Sequence, residues 1–169
     1  MALDIAVGTW QVKYNDETLQ GIEAAEPALD QETVDITTIE GHNITKVRSR
    51  SAEVVITAVD TGITNLKKIL PNNWLDSAAQ IVGQPVGTVV ANTAGAIVYG
   101  KPDCGTAELV APLQLVPCDG VAAHTITLFD GVAEITNIAL EDGVLKYEIT
   151  VRSEAVGTQV AKGSITFPS

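Results

Sequence analysis

Residues 144–152 read VLKYEITVR, with Leu145, Tyr147, Ile149 and Val151 alternating with Lys146, Glu148, Thr150 and Arg152. A period of two places the apolar side chains on one side of an extended chain and the polar ones on the other. That is the pattern of a strand with one face on a core and the other in water. Such a strand needs neighbours to cover its apolar face. Residues 124–129 and 132–140 supply two, with Asp130-Gly131 and Glu141-Asp142-Gly143 as hairpin turns, so residues 121–152 are expected to form a three-stranded meander.

Upstream, residues 7–14 predict a first strand with Val7, Trp10, Val12 and Tyr14 as packing residues, and Asn15-Asp16-Glu17 a turn. Residues 19–25 then complete an N-terminal hairpin that presents Leu19 and Ile22. Val34, Ile36 and Thr38 alternate with Asp35 and Thr37 in a third strand, and Glu40-Gly41-His42-Asn43 turns the chain into residues 44–59. There Lys46, Arg48 and Arg50 recur every second residue, on one face of an extended chain. Residues 109–116 predict a strand whose internal Pro112 implies a bulge or an edge position. Residues 81–90 and 96–99 are β-branched runs consistent with a hairpin or an extended arm, and residues 164–167 with a short closing strand.

One segment switches period. Ile63, Leu66, Ile69 and Leu70 have the spacing of a helical stripe, which Asp60 or Thr61 can cap and Pro71 ends. Trp74 is expected to anchor the loop that follows. The expected fold is mainly β. It is a single-domain β-sandwich or partly closed barrel over residues 1–169, with one short flanking helix at residues 61–70. Residues 1–43 hold the N-terminal hairpin and an acidic loop region, and residues 44–71 the basic strand plus the helix. With 46% hydrophobic but only 4% aromatic residues, Val, Ile, Leu and Ala must fill the interior.

Net charge is −11. A field of that sign repels nucleic-acid phosphates and argues against ordinary DNA or RNA binding. Between Lys13 and Lys46 there is no basic residue, while Asp16, Glu17, Glu23, Glu26, Asp30, Glu32, Asp35 and Glu40 accumulate. Such a tract is solvated or meets positive charge, and the row of Lys46, Arg48 and Arg50 is the available partner, within the chain or between copies. The beginning, MALDIAVGTW, has no basic segment leading into a long apolar run, and no stretch is long and apolar enough to span a bilayer. A soluble protein made in the cytoplasm is the expectation.

Motifs for chemistry are missing. His42 and His124 stand in no ligand-like spacing, no serine lies in a Gly-x-Ser-x-Gly elbow, and Gly83, Gly87 and Gly95 have no lysine or helix to make a phosphate loop. Cys104 and Cys118 are two thiols where a zinc site usually needs four ligands, and they are expected to be reduced. The Asp-Gly pairs lack the alternating carboxylates of a calcium loop. No catalytic residue, metal or cofactor is therefore assigned.

The order of elements resembles the tail tube proteins of tailed bacteriophages. The residues that carry the resemblance are Val12-Lys13-Tyr14 and Leu19-Gln20-Gly21, the acidic strand 32–40, Arg50-Ser51-Ala52-Glu53-Val54-Val55-Ile56, Asn65-Leu66-Lys67-Lys68-Ile69-Leu70-Pro71, and Thr125-Ile126-Thr127-Leu128-Phe129 with the meander after it. The resemblance implies a virion protein, made and assembled in the host cytoplasm, whose hexameric rings stack into a hollow tube. Genome DNA would pass through the acidic lumen without specific binding. A tape-measure protein and a tail terminator would be partners, and no membrane is involved. Within that family picture, Lys46, Arg48 and Arg50 face Glu23, Glu26, Asp30, Glu32 and Asp35 of a neighbour, and Glu134 and Glu148 face the lumen. Residues 91–103 would form an arm to the next ring. The tube of another contractile injection machine and a monomeric carbohydrate-binding β-sandwich are the alternatives; the few aromatic residues disfavour the second.

Overall fold

The structure is a computed structural model that describes residues 10–59, 63–81, 83–91, 95–97, 108–118, 125–153 and 161–166. Its strands in chain order are β1 (Trp10–Tyr14), β2 (Glu17–Thr18), β3 (Ile22–Thr37), β4 (Asn43–Val59), β5 (Trp74–Leu75), β6 (Ala96–Ile97), β7 (Ala111–Pro117), β8 (Ile126–Glu141), β9 (Val144–Ser153) and β10 (Gly163–Ile165), with a single helix α1 (Ile63–Ile69) among the described residues. Eight strands form one antiparallel sheet in the order β2-β1-β7-β8-β9-β4-β3, with β10 also on β8. β5 pairs β6 separately. The mainly β architecture with one short helix is as the sequence predicts.

The expected meander is instead one long strand and its partner. Asp130-Gly131 does not reverse the chain, because β8 continues through it. Ile126–Leu128 pair β7 on one side and β10 on the other, while Gly131–Glu141 pair β9. Asp130 takes φ 49°, a local kink that bends the strand so that its two halves belong to two layers. Val12, Tyr14, Leu113, Leu115 and Leu128 on one layer pack with Val54, Ile56, Ile149 and Val151 on the other in a single buried cluster. Pro112 lies at the register shift between Ala111 and Leu113, as its missing N–H requires; β7 is a central strand with a bulge.

The N-terminal hairpin forms, with Asn15 and Asp16 at φ 52° and 63° in its turn, but its second strand is only Glu17–Thr18. Ile22 begins β3 and pairs Ala58 of β4, and from there it lines a groove with Trp10 and Val12 of β1. Val12 and Tyr14 are buried whereas Trp10, at the end of its strand, is exposed. Val7, the predicted caps Asp60 and Thr61, Cys104, His124 and Phe167 lie outside the described residues.

Tyr14 crosses the core. Its hydroxyl lies 2.9 Å from the Gly131 carbonyl and 3.0 Å from that of Leu109, and donates to them. Burial, with a smaller contribution from Glu108, pushes its pKa up to about 12. A phenol that ionises less readily folded than unfolded contributes stability below pH ~10 that is lost as pH rises toward 12. Tyr14→Phe is therefore expected to lower stability by about 1–3 kcal/mol at pH 7. It should also flatten the alkaline fall in stability between pH 10 and 12, measured by urea unfolding at several pH values.

α1 closes the sandwich with Leu66, Ile69 and Leu70, all buried. Ile63, the first residue of the predicted stripe, opens the helix. Beside the stripe Asn65, buried at 1% exposure, clasps Gln20: its Oδ1 accepts from the Gln20 N–H at 2.9 Å and its Nδ2 donates to the Gln20 carbonyl. Trp74 half-buries beneath, its Nε1 donating to Asp76 at 2.9 Å.

Candidate assembly surfaces

The acidic tract is not a loop. Residues 22–37 form β3, whose ladder with β4 runs from Ile22↔Ala58 to Thr37↔Asn43. Burial stops at Ala52. From Leu29 on β3 and Ser51 on β4 outward, every residue except Val47 and Thr38 is exposed, so the two strands leave the body as a β-ribbon closed by the turn 38–42. Nine residue steps from Ala52 to Asn43 at about 3.3 Å each make an arm about 30 Å long.

A bulge decides what the arm shows. Glu32 pairs Ser49 and Thr33 pairs Val47, so Arg48 is an extra residue in β4. The predicted single row of three cations is thereby broken. Arg50 shares the core-side face with Ala52 and Val54 and donates to Gln31 at 3.1 Å. Arg48 and Ser49 both reach Glu32, at 3.0 Å, on the opposite face. Lys46, across from Val34, stays on that opposite face and makes no ion pair among the described residues.

Beyond the bulge the ribbon is amphipathic. Thr33, Asp35, Thr37, Asn43 and Thr45 line one face together with Val47, tied by Thr45 to Asp35 at 2.6 Å and Thr37 to Asn43 at 2.8 Å. Val34, Ile36 and Ile44 line the other with Lys46, and Ile39 stands out at the turn; all four aliphatics are exposed. The core-side apolar phase of Ala25, Pro27 and Leu29 has changed sides.

Of the predicted acidic partners, Glu32 meets Arg48 of its own chain and Glu23 meets Lys146 at 3.0 Å, while Glu26, Asp30 and Asp35 form no ion pair among the described residues. Lys146 also reaches Glu141 at 3.4 Å, and the two carboxylates, Glu23 foremost, hold its ammonium more firmly protonated. Glu134 and Glu148 do lie on the outward face of β8 and β9. Arg152 is held by Glu53 at 3.1 Å and Glu134 at 2.6 Å, a cross-strand trio over β4, β9 and β8. Glu148 accepts from Thr136 at 3.1 Å. Exposed pairs like these contribute about 0–1 kcal/mol each, so they set register more than stability.

At the far end of the body, β8 and β9 overrun the core. Leu140 pairs Leu145 on the core-side face, yet Leu140 is 74% exposed, and Ile138, Val144 and Leu145 are exposed with it. Leu145, which the alternation assigns to the interior, lies past the last residue that could cover it. Asp142, at φ 52° and without an ion pair among the described residues, and Gly143 form the turn between Glu141 and Val144.

The segment expected to reach the next ring folds back in part: Ala96 and Ile97 pair Leu75 and Trp74, and Ile97 packs on the core. Its residues 92–94 and 98–103 lie outside the described residues. At the arm's root an apolar groove of about 460 Å³ runs between Leu29, Val54, Leu128 and Ile165, with Glu53, Thr127 and Ser164 as its polar side chains. Among the described residues no cluster of three or more His, Cys, Asp or Glu is arranged for a metal, and no helix is long and apolar enough to cross a membrane. Cys118 is an exposed free thiol.

No protein-family model matches the chain, and no curated protein matches it by sequence. Solved structures do. The tube-terminating cap of the anti-feeding prophage superposes with TM-score 0.53 at 13% identity, covering 99% of this chain and 100% of that one. A chain of the extended sheath–tube complex of an extracellular contractile injection system gives 0.49 at 11%, covering 95% of each. One from the virion of a native gene transfer agent particle gives 0.46 at 18%, covering 93% and 95%. The chain has the tail-tube-like fold.

Proposed function

We propose that this protein is a structural, non-catalytic subunit of a tail tube, whose hexameric rings stack into a hollow conduit for genome DNA in a phage-like particle. The observation that carries this is a whole-chain tail-tube-like fold from which an amphipathic ribbon projects with its aliphatic face uncovered. A monomer has no use for such a ribbon, since an exposed apolar strand pair invites association. The outward face of β4, β9 and β8, where Glu53 and Glu134 hold Arg152 and Glu148 accepts from Thr136, suits a lumen wall that a polyanion must pass without sticking. A tape-measure protein filling the lumen and a terminator ending the tube are the partners this role requires.

A second reading is favoured by the full-length superposition on a tube-terminating cap: a subunit of the single ring that ends a tube. Negative-stain microscopy with mass measurement on the purified protein separates the two. Hollow fibres are the expected result, isolated rings support the terminator, and a strict monomer at high concentration overturns both.

A further inference from the structure

The two exposed aliphatic clusters lie at opposite ends of one molecule. Val59 of β4 pairs Lys146 of β9, so the β8–β9 turn extends past the end of β4 that is remote from the arm. The 17 residues of β4 alone separate the arm's turn from that end by about 50 Å. One cluster is Val34, Ile36 and Ile44 with Lys46; the other is Ile138, Leu140 and Leu145 with Asp142; neither Lys46 nor Asp142 makes an ion pair among the described residues. We infer that the arm's aliphatic face seats on the β8–β9 end of a second copy of this chain, with Lys46 against Asp142.

Charge selects this pairing over arm on arm. Two arms laid face to face would bring Lys46 near Lys46, whereas the β8–β9 end offers the acidic turn Glu141-Asp142, of which Glu141 already holds Lys146. Because donor and acceptor surfaces differ and sit at opposite ends, the contact is head-to-tail. Each copy that accepts an arm still has its own to give, so the association propagates along one axis and does not stop at a dimer. The inference rests on self-assembly as proposed above and assigns its axial contact.

Ile36→Asp removes the donor surface and Leu140→Asp the acceptor. Both positions are exposed, so each variant is expected to keep the fold, checked by circular dichroism. Neither variant alone should extend into fibres. Mixed in equal amounts, they should give doublets of the unit each forms alone, because one intact donor meets one intact acceptor. Lys46→Glu and Asp142→Lys should each raise the concentration needed for fibres by roughly tenfold, and the double exchange should restore it. Fibres from Leu140→Asp, or single variants with charge exchange that the double exchange does not rescue, would overturn the contact while leaving tube assembly by other surfaces standing. A wild-type protein that never assembles would overturn both.

Discussion

Gly131→Ala is expected to remove about 3 kcal/mol or more of folding stability, read as a lower urea midpoint with an unchanged slope. A Cβ at this position would stand 2.7 Å from Val151 Cγ1 and 2.9 Å from the Ala111 carbonyl oxygen. Neither neighbour can yield easily. Val151 is fully buried in β9, and the Ala111 carbonyl belongs to the backbone of the central strand β7. The Gly131 carbonyl also receives the Tyr14 hydroxyl, so any shift of the strand loosens that bond too. Gly143→Ala is the control. Its Cβ meets nothing within 4 Å, and its cost of about 1–2 kcal/mol comes only from the positive φ of 79°.

Asn65→Ala is expected to cost about 3 kcal/mol. It truncates a buried side chain under α1 and removes both hydrogen bonds to the Gln20 backbone, each worth about 1 kcal/mol net. Asn65→Asp tests the same clasp through pH. A carboxylate can still accept from the Gln20 N–H, but its second oxygen would face the Gln20 carbonyl, so only the protonated form fits. The folded pKa of that aspartate rises above the usual value of about 4. This variant should be most stable at acid pH and lose stability as pH rises through the raised value, a slope the native protein does not share.

Strand content, the position and end of α1, the bulge at Pro112 and the burial of Tyr147, Ile149 and Val151 are legible in the sequence, because each rests on local spacing. What was not legible depended on partners. Asp130-Gly131 has the composition of a hairpin turn, and only the packing of two layers about Gly131 makes it a bend within β8. The clasp of Asn65 has no sign in the sequence, since nothing nearby in the chain announces the Gln20 backbone it holds. The three alternating cations predicted one face until an extra residue at Arg48 divided them. A partial sign of the arm did exist: the large aliphatic residues of β3 pass from Leu29, across from Ala52 on the core side, to Val34 and Ile36 on the opposite side. The overhang of Leu140 and Leu145 had no such sign, for alternation gives the side a residue faces and not where the core ends.

Because β8 serves both layers, it also sets how the molecule carries load. Its ladder bonds lie across the strand direction, so tension applied along β8 strains the bonds to β7, β9 and β10 together and in shear. Peeling one pair at a time requires a pull from the side. A subunit pulled along either half of β8 would thus resist far better than one pried apart from the side.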